Sequence, residues 1–326
     1  MTRDPSTPTD PTRFDCDADS SATIPPRHEV VTTRDGARSI RDTHLREVMH
    51  PVVGARVESE QLYAGQSRLR ERLRKDDWHS NDIALHPNHL NTNHLHPNHL
   101  DGEQLVLFDV GLGAGSNALA ARRISESLLE DSHARRLTIV SYENDLGALK
   151  LALETEHAES FGLDGEPGDA ARALLAHGRH ETARTRWILR EGDLLEQLMR
   201  EELRAEIIFW DPFSPRANPA LWNAAAFTLL RSRCAPRCTL FTYAAATSVR
   251  AAMLLGGFAV GIGAGTGTTQ ETTAAACDAR DLTKPLDARW LQRLARSSAP
   301  FPADAPEDAL ARIQSAPQFR HGPNEG

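Results

Sequence analysis

Four carboxylates and one glycine turn carry the chemistry this sequence can be expected to perform. The turn is Gly111-Leu-Gly-Ala-Gly-Ser-Asn117. It follows an apolar run over 105–110 that contains Asp109, and it opens into Ala118-Leu-Ala-Ala-Arg-Arg-Ile124, which has helical character. Glycines let a backbone approach a ligand closely, and the start of a helix offers free N–H groups, so a nucleotide or nucleoside is the expected occupant. A dinucleotide fingerprint G-x-G-x-x-G needs glycine at its sixth position, where this chain has Ser116. The binding candidates here are Asp109, Gly111, Gly113, Gly115 and Asn117. Glu143 directly follows a second apolar run, 137–142, and a carboxylate there can accept hydrogen bonds from both hydroxyls of a ribose. Asp193 follows a third run, 187–190. It can accept from an adenine amino group, or cap the helix that starts after it. Asp211-Pro-Phe213 follows a fourth run, 206–210. A carboxylate at a strand end over a ligand crevice can orient the N–H of a nucleophile and take its proton, while Pro212 fixes the loop and Phe213 or Trp222 stacks on a base or lines the pocket. The competing reading of this loop is a structural turn stiffened by Pro212, Pro215 and Pro219.

Strand and helix patterns must alternate to bring these residues together. Helices are expected over 146–157, 194–203, 219–231 and 247–255, between and after the four apolar runs and a fifth at 239–243. Runs 258–262 and 269–276 follow with no helix between them and read as an antiparallel hairpin at a sheet edge. The expected fold is α/β, a mostly parallel sheet covered on both faces. Ahead of it, two extended segments flank Asp35-Gly36, a hairpin signal, and a polar helix is expected near 64–77. These form an N-terminal elaboration over 28–85. Residues 1–27 are rich in Pro, Thr, Ser and Asp and are expected to be a disordered tail. Residues 86–100 repeat His-Pro-Asn-His-Leu, with Asn-Thr-Asn-His-Leu as the middle copy. Histidine clusters bind transition metals, but a low-complexity surface insertion accounts for the repeat, and no metal site is assigned. The core is expected over 101–280, with a partly disordered C-terminal extension over 281–326.

Composition narrows the classes. The chain has 326 residues, 40% hydrophobic and 25% charged, enough for a substantial core. Its net charge of −8 provides no global basic field, so a nucleic-acid partner requires a local arginine patch. Arg216, Arg231, Arg233 and Arg237 are the candidates beside the Asp211 loop. Cys16, Cys234, Cys238 and Cys277 lack paired metal-knuckle spacing; Cys234 and Cys238 can share a helix face, but two sulfurs make no structural zinc site. They read as reduced thiols. There is no run of 18 apolar residues and no apolar signal core, which points to the cytoplasm and away from membranes.

The glycine loop after an acidic strand end resembles the S-adenosylmethionine loop of class I methyltransferases, whose Rossmann-like seven-stranded sheet ends in an antiparallel hairpin. More specifically, Phe108-Asp-Val-Gly-Leu-Gly-Ala-Gly-Ser-Asn117, Tyr142-Glu-Asn-Asp-Leu-Gly-Ala-Leu149 and Asp211-Pro-Phe-Ser-Pro-Arg-Ala-Asn-Pro-Ala-Leu-Trp222 resemble the methyltransferase domain of the bacterial tRNA 5-methylaminomethyl-2-thiouridine biosynthesis enzyme. Thr33-Arg-Asp-Gly-Ala-Arg-Ser39 and Gly54-Ala-Arg-Val-Glu-Ser-Glu-Gln-Leu-Tyr63 are similar to it as well. The likeness runs from about residue 29 to about 300 and matches the stand-alone form without an FAD oxidase domain. It implies S-adenosyl-L-methionine as cofactor, tRNA as partner, and methyl transfer to the 5-aminomethyl nitrogen of wobble uridine, with Asp211 handling the amine. Methylation of another amine, a non-catalytic relative that binds the cofactor or RNA, and a nicotinamide oxidoreductase remain the alternatives. Ser116 and the closing hairpin argue against the last.

Overall fold

The computed structural model describes residues 26–50, 55–75, 104–265 and 271–320. The tail over 1–25 and the histidine repeat therefore lie outside the described residues. Three short strands, β1 (His28–Thr32), β2 (Arg38–Asp42) and β3 (Glu47–Val48), form an antiparallel sheet. Gly36, at φ +85°, turns the chain between the first two. In place of one polar helix near 64–77 come α1 (Ala55–Glu58), a π-helical turn over Ser59–Gly65, and α2 (Leu69–Arg74). The break has a local cause: Arg68, before α2, sits at φ +51°.

The core begins with β4 (Gln104–Val110), then α3 (Ser116–Glu126), β5 (Arg136–Glu143), α4 (Gly147–Ala152), α5 (Glu166–His177), β6 (Arg179–Glu181), β7 (Thr185–Glu191) and α6 (Leu194–Arg200). It continues through β8 (Ala205–Trp210), α7 (Ala224–Arg231), β9 (Cys234–Thr242), α8 (Thr247–Leu255), β10 (Ala259–Gly263) and β11 (Thr272–Ala276). The strand order is β10-β11-β9-β8-β4-β5-β7-β6. Strands β7, β5, β4, β8 and β9 run parallel, and β11 and β10 close one edge antiparallel. Seven of these strands are the expected sheet. The eighth, β6, is a three-residue antiparallel edge that α5 delivers beside β7; three polar residues, Arg179-His-Glu181, give no apolar pattern by which to find it.

Side-chain alternation along the strands separates two cores. Val106, Phe108 and Val110 of β4 pack on one face with Trp210, Trp222, Phe227 and Met253. Leu105 and Leu107 pack on the other with Ile139, Trp187 and Phe209, joined by Leu62, Tyr63, Leu69 and Leu73. The N-terminal elaboration is thus built into the second core. Buried Arg72 ties it down, donating to Thr239 Oγ1 and the Glu206 carbonyl, both at 2.9 Å. Past β11, α9 (Ala288–Arg296), α10 (Ala309–Gln314) and α11 (Pro317–Arg320) contribute Trp290, Leu294 and Ile313 to the first core. The Gln318 side chain hydrogen-bonds both the N–H and the carbonyl of Val260, covering the exposed edge of β10.

Because β5 and β8 flank β4 on opposite sides, the chain reverses its winding there. The crevice at the carboxyl ends of these strands is where an α/β sheet accepts a ligand.

Candidate active site

A cavity of about 720 Å³ opens at that point, within the size range of ligand pockets. Gly111, Gly113, Glu143, Asp193, Asp211, Pro212 and Phe213 all line it, as do Leu45 through His50 from the N-terminal elaboration. The glycine loop is shaped by close approach. Gly111 has φ +87°, and a Cβ there would lie 2.6 Å from the Asp211 carbonyl oxygen. Gly113 has φ +53° and faces Met49, whose sulfur would be 3.1 Å from an added Cβ. No other residue type meets both demands at Gly111.

Glu143 holds this loop. Its carboxylate accepts from the backbone N–H of Gly113 at 3.0 Å, Asn144 at 2.9 Å and Asp145 at 3.1 Å. Burial raises its pKa, and those three N–H bonds oppose the rise. Asp193 does what helix-start residues do: it accepts from Glu196 N at 3.0 Å, capping α6, while it also faces the cavity.

Three of the expected ligand contacts lie elsewhere. Asp109 is wholly buried and does not border the cavity. It accepts from Ser141 Oγ at 2.7 Å, and Ser141 Oγ in turn accepts from Trp187 Nε1 at 2.9 Å. Its second oxygen has no hydrogen-bond partner, and burial lifts its pKa to about 7. As a member of the β4 pleat, its side chain points into the sheet, not out of the strand's end. Asn117 is also off the cavity wall. The first turn of α3 carries it over the end of β8, where its Nδ2 donates to Asp211 Oδ2 at 2.8 Å. It supports Asp211. Gly115 caps α3 at φ +88° and lies behind the lining residues.

The Asp211 loop is fixed by donors that grip its carbonyls. Tyr243 Oη donates to the Pro212 carbonyl at 2.9 Å, and Trp222 Nε1 to the Phe213 carbonyl at 2.8 Å. Trp222 is therefore buried structure, packed edge-on against Trp210 and Tyr243, and is unavailable for stacking on a base. Phe213 borders the cavity. From the other side Glu47 accepts from Ser214 N at 3.1 Å and from Arg216 Nη2 at 3.2 Å.

The residues that sequence reasoning missed surround Asp211. His50 Nε2 lies 3.7 Å from Asp211 Oδ2, and His50 Nδ1 lies 3.1 Å from Glu58 Oε2. The Tyr63 hydroxyl is buried against the same Asp211 carboxylate, short of regular hydrogen-bond geometry. Burial raises the Asp211 pKa, His50 opposes the rise, and the result is about 6. For His50 burial works downward, but Asp211 and Glu58 outweigh it and bring the imidazole to about 9. Between these values Asp211 is ionised and His50 protonated. His50 also sits at φ +47°, a region that costs a non-glycine residue of order 1 kcal/mol or more. That one backbone outlier is a local mark, though it is invisible in the sequence. Of the four candidate arginines, Arg216 stands beside the loop, 78% exposed. Arg233 and Arg237 belong to the amino end of β9, bonded to the Met199 carbonyl and to Asp281, and Arg231 reaches the Cys277 carbonyl.

The sheet order, glycine cradle and terminal hairpin match the class I methyltransferase fold. Residues 174–278 match a family described as S-adenosyl-L-methionine-dependent methyltransferase. The cradle suits that cofactor: a loop free of Cβ atoms at Gly111, a part-buried acceptor in Glu143 and an exposed one in Asp193 all face one cavity. Within this class the chain is similar to proteins named MnmC. It is 32% identical over 204 residues to the tRNA 5-methylaminomethyl-2-thiouridine biosynthesis bifunctional protein MnmC of Ectopseudomonas mendocina, covering 59% of this chain and 29% of that protein. The MnmC of Methylibium petroleiphilum is 25% identical over 254 residues, 75% of this chain and 34% of its own length. The chain thus spans about a third of the curated relatives it matches. The crystal structure of MNMC2 from Aquifex aeolicus shares the fold, with a TM-score of 0.62 at 20% identity over 90% of this chain and 86% of that one. Among the described residues no helix is long and apolar enough to cross a membrane.

Proposed function

We propose that this chain methylates an amine nitrogen, and that its acceptor is the 5-aminomethyl group of the wobble uridine in tRNA, modified in the cytoplasm. The observation that carries the chemistry is Asp211: a carboxylate poised near neutrality at the end of β8, inside the same cavity as the glycine cradle. The acceptor assignment rests on the similarity to MnmC.

S-adenosyl-L-methionine, when bound, supplies an electrophilic methyl group; Gly111, Gly113, Glu143 and Asp193 would hold it. An amine can accept that group only through its free lone pair. Asp211 accepts a hydrogen bond from the amine N–H, which turns the lone pair toward the methyl group, and it takes the proton that the new N–C bond displaces. Asn117 keeps the carboxylate in one orientation. Protonated His50 keeps it ionised down to pH about 6. Phe213 and Pro212 bound the acceptor side and limit water there.

The cavity is lined by seven carboxylates, Asp42, Glu47, Glu58, Glu143, Asp145, Asp193 and Asp211. Arg27 pairs with Asp42 and Asp145, and Arg216 with Glu47, and the carboxylates left over can still draw in a cationic amine, so the same chemistry on a different amine is the second reading. One experiment separates the two: transfer of radiolabelled methyl to bulk tRNA from a strain lacking its own methyltransferase, followed by nucleoside analysis. Label in 5-methylaminomethyl-uridine or its 2-thio form is the expected result. No label in tRNA, with calorimetry still detecting cofactor binding, would move the assignment to another amine. Asp211→Asn should keep cofactor affinity within about twofold and lower turnover by at least the ~10²-fold typical of a lost general base. Full turnover in that variant would remove Asp211 from the chemistry.

A further inference from the structure

Far from the cavity, three of the four cysteines converge. Cys234 and Cys238 lie on β9 and not on a helix, and between them the pairing with β8 slips, Ala205 opposing Cys234 and Ile207 opposing Thr239, so a bulge folds the two sulfurs together. Cys277 directly follows β11, the antiparallel neighbour of β9, and its N–H donates to the Cys238 carbonyl at 2.9 Å. The hairpin register thereby returns the third sulfur to the first two, and all three sulfurs lie within 4.8 Å of one another. The cluster sits at the amino end of β9, whereas the cavity opens at the carboxyl ends of the strands, so the proposed methyl transfer makes no use of it. Cys234 and Cys238 are buried and Cys277 is partly accessible, which leaves a path from solvent. The three thiols are free, not joined as disulfides.

Convergence of three soft donors is more than small residues filling a core requires. An ion about 2.3 Å from each sulfur, the usual zinc–thiolate distance, places three coplanar ligands about 4 Å apart. That spacing fits the cluster. Among the described residues no imidazole or carboxylate joins the three sulfurs. A structural zinc site wants a fourth ligand, while soft monovalent copper is selected by thiolates. Positive charge stands beside the site: Arg231 Nη2 approaches the Cys277 carbonyl at 3.5 Å, and Arg231 Nε is buried without a hydrogen-bond partner. We propose that Cys234, Cys238 and Cys277 form a binding site for one soft, thiophilic cation of the monovalent copper class, held by three thiolates beside Arg231.

Binding the ion as thiolates releases one proton from each thiol. The test uses the full chain, reduced and handled without oxygen, in a Cys16→Ser background so that every remaining thiol belongs to the cluster. Monovalent copper is titrated in competition with the coloured chelator bathocuproine disulfonate. The expected result is one equivalent withdrawn from the chelator. Cys277→Ser, the least buried of the three, should weaken that competition by about 100-fold or more, because losing a ligand exceeds the 10–100-fold cost of an outer-shell change. Cys234→Ser and Cys238→Ser should match it wherever they fold, with S-adenosyl-L-methionine binding by calorimetry as the folding control. Copper left wholly on the chelator would overturn the proposal. So would a folded Cys277→Ser variant that competes like the parent, or a preference for zinc over monovalent copper.

Discussion

Replacing His50 by glutamine tests the electrostatics of the site most directly. His50 Nε2 stands 3.7 Å from Asp211 Oδ2, both side chains being largely buried. Two opposite unit charges about 4 Å apart interact by about 4 kcal/mol at an effective dielectric constant of 20, equivalent to about three pK units. Water entering the space of the ring and the retained Asn117 hydrogen bond absorb part of this, so a net rise of roughly one to two units is expected for Asp211. The sign follows from the causes: without the imidazolium, burial and Glu58 both push the Asp211 pKa upward from about 6. The assay is the pH dependence of kcat/KM for methyl transfer, read as label in tRNA. Deprotonation of the acceptor amine adds a limb common to both enzymes, so the informative quantity is their difference. The acid limb should move to higher pH in His50→Gln, with most of the activity recovered at alkaline pH. An unmoved limb with lowered activity at every pH would refute the electrostatic role and leave His50 as packing. A parent enzyme with no limb near pH 6 would refute the role of Asp211 itself.

Glu143→Ala should raise the dissociation constant for S-adenosyl-L-methionine 10- to 100-fold by calorimetry, since charged hydrogen bonds contribute about 1.5–3 kcal/mol; unchanged binding would remove Glu143 from the cofactor site. Asp109 has a folded pKa of about 7 against its ordinary 3.8, so the stability it contributes is present below pH 3.8 and is lost as pH rises through about 7. Asp109→Asn lacks that loss, and its stability relative to the parent should improve by about 2 kcal/mol between pH 5 and pH 8 in urea unfolding; a pH-independent difference would contradict it. Deleting residues 86–100 should leave the melting temperature and turnover unchanged, and a loss of activity would defeat the low-complexity reading of the repeat.

The alternation of apolar runs and helical patterns from 105 to 276 determined the sheet, because strand and helix periodicities are local properties of the chain. The glycine turn was legible for the same reason: Gly111 has to accept the Asp211 backbone at van der Waals range, and the lack of a Cβ is written in the residue itself. Glu143 and Asp211 could be chosen because a residue at the last position of a parallel strand or just past it emerges at the crevice whatever else the chain does. Asp109 failed that logic by one turn of the pleat, since a residue still inside a strand points alternately into one core or the other. Asn117 reads in the sequence as a ligand contact, but in the structure it is off the cavity wall and bonded to Asp211, a partner that was not legible. Only the packing of α3 over β8 decided that it serves Asp211. His50, Glu58 and Tyr63 precede Asp211 by about 150 residues, and the likeness of Gly54–Tyr63 to the family gave Glu58 and Tyr63 no role; the second core draws them in by burying Leu62, Tyr63 and Leu69. The three cysteines follow the same rule: hairpin register brings Cys277 to Cys238, and the bulge in β9 brings Cys234 to both. Local sequence thus placed the glycine turn, Glu143 and Asp211 at one crevice, while the charge state of Asp211 was decided by tertiary packing, because a pKa depends on burial and on whichever charges the fold brings near.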